Sequence, residues 1–269
     1  MNPLAPTRTA RWIIGAVVGL VFAVPFVATV LFTLTPLPGG SGLSLDRWAG
    51  IFDPAAAAKF RPVWTGLGNS LILAVVTVVL VLGLFTPTMV LVALAFPRLR
   101  RIFEFVALLP ISLPAIVLVV GLTPIYLQIG RTLGTGAWTL AFAYGILVLP
   151  FAYRSIQASI DAIDIRTLSE AARTLGAGWT TVLLRVIVPN LRQGLLAASL
   201  ISVAVVLGEF TIASLLNRQT LQTALVVVNK QDGYVAAIFT LLALAFAFVL
   251  LLIIGRVGRI GAGAGRKTS

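Results

Sequence analysis

The sequence has no histidine and no cysteine in 269 residues, and only 10% of its residues are charged. Without imidazole or thiolate, most metal sites, every cysteine nucleophile and any Ser-His-Asp triad are excluded. A disulfide framework is excluded as well. Acidic residues are scarcest: 8 stand against 20 basic ones, a formal net charge of +12. In a soluble protein that excess would suggest nucleic acid, but soluble domains carry about a quarter charged residues. Here 59% of the residues are hydrophobic and the mean hydropathy is +1.06. The composition defines an integral membrane protein, with membrane lipid as its surroundings and no nucleic acid as partner.

What is present in quantity is the long apolar run. A helix needs about 20 apolar residues to cross a hydrocarbon core about 30 Å thick, and six segments qualify. They are expected at about 12–35, 66–95, 105–128, 137–154, 194–216 and 234–255, all as helices of one all-α, polytopic domain occupying residues 1–269. Pro87 is expected to kink the second. Pro110, Pro114 and Pro124 are expected to break or tilt the third, its freed carbonyls satisfied by neighbouring helices.

The basic residues sort by side. With the N-terminus on the cytoplasmic face, the inner segments hold 14 basic residues, among them Arg8, Arg98, Arg154, Arg192 and Arg256, and the outer ones hold the other 6. That asymmetry places both termini in the cytoplasm of a bacterial plasma membrane. Arg8 and Arg11 precede an apolar run longer than the 7–15 residues of a signal-peptide core, with no A-x-A site after it, so the first span is read as uncleaved. The tail Gly261–Thr268 is similar to a phosphate loop only superficially, because G-x-x-x-x-G-K-[ST] needs glycine at Arg266.

The inner segment 155–193 is the one place where the chain offers substantial surface to the cytosol. Ile165, Leu168, Ala172 and Leu175 recur at helical spacing, and Glu170 is placed to pair with Arg166 and Arg173. Gly176 is expected to end this helix, and Gly178 to allow a second turn. A second short helix from about Thr180 is expected to stop at Pro189.

This segment resembles the EAA loop of ABC importer permeases. Glu170-Ala171-Ala172, then three residues, then Gly176-Ala177, and a closing Ile187-Val188-Pro189 reproduce that pattern between the fourth and fifth spans. The resemblance continues in Asn69-Ser70-Leu71, Leu109-Pro110, Leu113-Pro114 and Leu149-Pro150-Phe151, and so covers nearly the whole chain. It implies a type I importer architecture in which Glu170, Ala171, Ala172, Leu175, Gly176, Ala177 and Pro189 belong to a coupling loop seated on a cytosolic ATPase. ATP would then be bound and hydrolysed by two copies of that separate subunit, and this chain would be neither an enzyme nor the holder of a cofactor or metal. The remaining implied partners are a second permease, expected to be a different chain, and an extracytoplasmic solute-binding protein.

One carboxylate lies at membrane depth. Glu209, in Val205-Val-Leu-Gly-Glu-Phe-Thr-Ile-Ala213, is expected inside the fifth span, where a charge is expensive unless hydrated, paired or neutralised. Glu209, Phe210 and Tyr144 are therefore candidates for a translocation pathway, with a hydrogen-bonded structural role as the alternative for Glu209. The stretch from Leu207 to Leu216 with Thr220–Ala224 is most similar to permeases of the spermidine/putrescine branch, which implies a polyamine. Related branches carry ferric ion, thiamine, phosphonate, sulfate or molybdate. An ion-coupled secondary transporter with Glu209 as the relay is the competing class.

Overall fold

The computed structural model describes residues 7–54 and 57–263, and Arg266 and Lys267 of the basic tail lie outside them. The described residues are helical with no β-strand among them. In chain order they form α1 (Arg8–Thr33), α2 (Asp46–Ile51), α3 (Ala57–Leu80), a π-helical turn at Val81–Phe85, α4 (Thr86–Ala95), α5 (Arg100–Leu108), α6 (Ala115–Thr132) and α7 (Ala141–Asp161). They continue as α8 (Ile165–Thr174), α9 (Trp179–Thr181), a second π segment at Val182–Ile187, α10 (Val188–Asn190), α11 (Arg192–Gly208), α12 (Thr211–Leu215), α13 (Leu221–Gln231) and α14 (Gly233–Gly263). Among the described residues, five helices are long and apolar enough to cross a membrane, and the bent pair Trp179–Asn190 and Arg192–Gly208 makes a sixth span if taken as one.

The chain divides into two compact units. The first comprises the residues up to Arg61 with Leu225–Ala245. Its α1 buries only Thr33, so this apolar helix is built for lipid or for another chain. The end of α1 is fixed by α2. Arg47 donates from Nε to the Thr35 carbonyl at 2.9 Å and from Nη2 to that of Pro36 at 3.3 Å, and Trp48 Nε1 donates to Thr33 Oγ1 at 3.2 Å. The Arg47 guanidinium lies 3.8 Å above the Tyr234 ring, which stacks on Phe32 at 4.4 Å. The carbonyls of Thr35 and Pro36, just past the C-terminal end of α1, thus receive a cationic donor, at the end where the helix dipole favours positive charge.

The second unit, Pro62–Ala224 with the residues from Phe246 on, holds two apolar clusters. One gathers Val81, Met89, Val148, Ile156, Val182, Ile187 and Leu191 near the loop between α7 and α11. The other gathers Leu73, Tyr126, Leu140, Tyr144, Val206 and Ile212 further along the same helices. Helix α7 is the central element, with 61% of its span buried against 11% for α6. Small residues bring α11 against it: a Cβ on Gly194 would lie 2.5 Å from the Ser155 carbonyl oxygen. Between membrane helices such close approach replaces the hydrophobic drive that lipid does not supply.

Several boundaries differ from those read in the sequence. The fourth helix does not end at 154 but runs to Asp161, because Ile156 and Ile160 continue its buried face and Asp161 accepts both 2.8 and 2.9 Å bonds from Arg100 Nη2. The third breaks at Leu113–Pro114, leaving α6 as the apolar span, while Pro124 sits inside α6 without ending it. Pro87 is preceded by the π turn at Val81–Phe85, since a proline lacks the N–H and its ring crowds the carbonyl four residues back. Pro189 likewise follows a π segment and does not stop the helix, which continues to Asn190 and bends by 77° at Leu191.

Candidate functional site

Two places in the second unit carry the residues singled out in the sequence. The first is the loop from Asp161 to Leu191. Asp164 caps α8: Thr167 donates to it from its backbone N–H at 3.1 Å and from Oγ1 at 2.6 Å. Those donors favour the carboxylate and hold Asp164 below the usual carboxylate range. Inward, Ile165 and Ser169 are buried, and Ala172 and Ala177 pack on the apolar cluster.

The C-terminus of α8 is a Schellman turn. The Ala177 N–H reaches the Ala172 carbonyl at 3.1 Å, that of Gly176 reaches Arg173 at 2.9 Å, and Gly176 adopts φ +83°. Only glycine occupies that region without strain. The turn overturns one expectation. Leu175 is not on the buried face with Ile165, Leu168 and Ala172 but is 89% exposed, because the helix ends at Thr174 and the chain reverses at Gly176. Ala171 is exposed beside it.

Glu170 lies 3.9 Å from Arg166, both side chains about 70% exposed, a contact worth a few tenths of a kcal/mol at most. No Glu170–Arg173 ion pair forms among the described residues. Instead Arg166, Glu170 and Arg173 share a face that borders a cleft of about 390 Å³, closed by Leu91 and Leu94 of α4 and by Trp179.

The second place is the interruption of the fifth apolar segment. Glu209 was expected within a continuous helix; α11 ends at Gly208, and Glu209 is extended at φ −83°, ψ 129°. The carboxylate is engaged at once. Its Oε1 and Oε2 accept from the Ile212 N–H at 3.0 and 3.1 Å, and Tyr144 OH donates to Oε2 at 2.8 Å. Tyr144 is fully buried, whereas Phe210 turns outward and is 37% exposed. The Leu207 carbonyl, freed by the break, accepts from Gln222 Nε2 at 2.7 Å. A broken membrane helix persists only where its freed groups are satisfied, and Glu209 and Gln222 do this from opposite sides.

The sequence reading missed Gln222 and Asp164. A glutamine in the apolar stretch Leu221–Val228 and an aspartate three residues before a threonine are the signals that mark them. At the end of the unit away from the α8 loop, Tyr126 OH donates to the Thr139 carbonyl at 3.0 Å and accepts from the Ala143 N–H at 3.1 Å, pinning α6 to the start of α7. Asn69 and Gln219 clamp the 217–220 loop onto α3, and Ser70 Oγ accepts from the Leu221 N–H at the start of α13.

A bundle of apolar helices with a broken span and a capped, polar loop is the architecture of a multi-span membrane protein. Residues 90–258, well over half of the chain, match the binding-protein-dependent transport system inner membrane component, and the chain belongs to that family. It is an ABC importer permease rather than an enzyme. The molybdenum transport system permease protein ModB of Mycobacterium tuberculosis is 29% identical over 97% of this chain and 98% of its own length. The ModB protein of Azotobacter vinelandii is 35% identical over 51% of this chain and 66% of its own. The spermidine/putrescine transport system permease protein PotC of Haemophilus influenzae is 31% identical over 38% of each chain.

Proposed function

We propose that this permease forms one half of an ATP-driven importer's membrane core, with both termini cytoplasmic, and passes a molybdate-class oxyanion delivered by an external binding protein. The loop from Asp161 to Leu191 seats on a cytosolic ATPase present in two copies, and a second permease completes the core. The observation that carries the docking role is Leu175, an 89% exposed leucine held at a glycine turn by a Schellman motif. A large apolar side chain projecting on a rigid polar loop is what a partner's pocket fits. Glu170, Ala171 and Gly176 shape the same surface. ATP binding and hydrolysis reside in the partner.

Gentle solubilisation and co-purification test this reading. Native protein is expected to bring down an ATPase and a permease, and a variant with residues 170–178 replaced is expected to lose the ATPase. Recovery of the chain alone, with uptake persisting in vesicles that lack ATP, would favour the ion-coupled alternative. The engagement of Glu209 by Tyr144 and Ile212 argues against that alternative, since a proton or sodium relay needs a carboxylate free to exchange.

The substrate reading rests on the molybdenum transport system permease proteins ModB, which match nearly the whole chain. A polyamine remains the second reading, supported by the PotC match over 38% of the chain and by the resemblance of Leu207–Leu216 to that branch. Uptake of labelled molybdate, challenged with excess tungstate, and in parallel uptake of labelled spermidine, both by cells carrying the native transporter, separate them. Molybdate uptake competed by tungstate, without spermidine uptake, supports the oxyanion, and spermidine uptake without molybdate uptake supports the polyamine.

A further inference from the structure

The charges of the second unit are distributed unevenly along its axis. Its carboxylates Glu104, Asp161, Asp164 and Glu170 all belong to the end that carries the α8 loop, and Glu209 is spent on Ile212 and Tyr144. At the opposite end, where α6 finishes and α12 gives way to α13, this unit has Arg131 and Arg218 and no carboxylate. Arg218 is held firmly by its backbone: its N–H reaches the Ala213 carbonyl at 2.8 Å, and its carbonyl accepts from Thr223 Oγ1 at 3.3 Å.

Its side chain is not held in the same way. The guanidinium makes no hydrogen bond or ion pair among the described residues, and its Nε is buried without a partner. It lies over Gly130 in the last turn of α6, where a Cβ would make ordinary contact with Nη2 at 4.0 Å and with the Thr135 methyl at 3.7 Å. A half-buried guanidinium whose donors have no protein acceptor among the described residues is suited to receive one, and its planar fork matches the paired oxygens of a tetrahedral oxyanion.

We infer that Arg218 is a substrate-contacting residue, taking a divalent tetrahedral oxyanion at the end of the bundle away from the α8 loop, with Arg131 adding to the local positive potential. The inference rests on the oxyanion reading above and deepens it. A polycation would meet two arginines at this end and no carboxylate of the unit. The competing role for Arg218 is to complement the C-terminal turn of α6, where the helix dipole favours any cation.

The test is initial-rate uptake of labelled molybdate by cells carrying the native transporter, with native Arg218, Arg218→Lys and Arg218→Gln, alongside recovery of the intact complex from their membranes. In a binding-protein-dependent system the binding protein sets KM, so a contact made inside the permease shows in the maximal rate. Arg218→Gln is expected to lower the maximal rate about tenfold at unchanged KM and unchanged complex recovery, and Arg218→Lys to retain most of it. An unchanged maximal rate in Arg218→Gln overturns the inference and leaves the oxyanion reading standing. Loss of the complex in Arg218→Gln with its retention in Arg218→Lys, and a rate that simply follows the amount of complex, overturns it in favour of dipole complementation. If native cells take up spermidine and no molybdate, the oxyanion reading fails, and the role of Arg218 fails with it.

Discussion

Tyr144 of α7 donates its hydroxyl to Glu209 Oε2 at 2.8 Å across 65 positions of sequence. The pair joins the most buried helix of the second unit to the point where the fifth apolar segment breaks. Glu209 is thereby both a cap for the Ile212 N–H and an anchor for the break.

Shortening Glu209 to alanine strands the Ile212 N–H and the Tyr144 hydroxyl together, whereas Glu209→Gln keeps an acceptor for one of them. Each buried group left unpaired costs about 1–3 kcal/mol. Thermal unfolding in lipid nanodiscs, followed by tryptophan fluorescence, is expected to rank native above Glu209→Gln and that above Glu209→Ala. Equal midpoints for the two variants would remove the capping role.

Gln222→Leu has a similar volume but no donor for the Leu207 carbonyl, which then lies unsatisfied at the break. The same assay is expected to register a loss of about 1–3 kcal/mol. Gln222→His, which retains a donor, is expected to recover part of it. A leucine variant as stable as native would mean that water replaces the glutamine.

Glycine positions differ sharply in what an added methyl meets. On Gly194 it would come within 2.5 Å of the Ser155 carbonyl and of Ser159 Oγ, so Gly194→Ala is expected to force α11 from α7 and destabilise by about 1–3 kcal/mol. On Gly19 of α1 nothing lies within 4 Å, and Gly19→Ala is expected to be neutral or slightly stabilising, helix propensity favouring alanine by about 1 kcal/mol. Gly15, four residues earlier, likewise has nothing within 4 Å among the described residues. Both variants behaving alike in unfolding measurements would refute the assignment.

At the loop, Leu175→Ala removes the projecting side chain without touching the Schellman bonds, which are main-chain. Complex recovery after mild solubilisation is expected to fall at least tenfold while the unfolding midpoint stays within error. Gly176→Leu is expected to impair both, because a leucine is strained at φ +83°. Undiminished ATPase association in both variants would contradict docking at this turn.

The cap at Asp164 predicts a pH dependence. Its carboxyl is held below the usual range by Thr167, so the native state binds its proton less readily than the unfolded chain. The stabilisation is present above the ordinary carboxylate pKa and is lost as pH falls through the lowered native value. Amide exchange in the first turn of α8, compared at neutral pH and at pH about 3, is expected to lose protection in the acid in native protein. Asp164→Asn, which caps without ionising, is expected to flatten that dependence.

Much of the architecture was legible because hydropathy is a local property. Apolar runs marked the helices, and the glycine that ends α8 was evident at Gly176. Local rules failed where a distant partner decides. Ser155–Asp161 is polar enough to read as loop, yet Ile156 and Ile160 continue the buried face of α7 and Arg100 from α5 pairs with Asp161 at its end. Leu175 fits the apolar period, but the turn expels it. Glu209 looks like a buried charge in a helix, and only the arrival of Tyr144 and Gln222 makes a break at that point tolerable.

By itself the sequence determined that this is a helical membrane protein, how its basic residues are apportioned, and that its longest polar loop resembles that of importer permeases. Each follows from the transfer energies of side chains and from short-range spacing, which need no neighbours from afar. The tertiary structure alone decided that Glu209 is a cap at a helix break, that Leu175 projects, and that Arg218 keeps a guanidinium without a partner. Those outcomes depend on hydrogen bonds and packing between residues far apart in the chain, whose geometry exists only once the helices have come together.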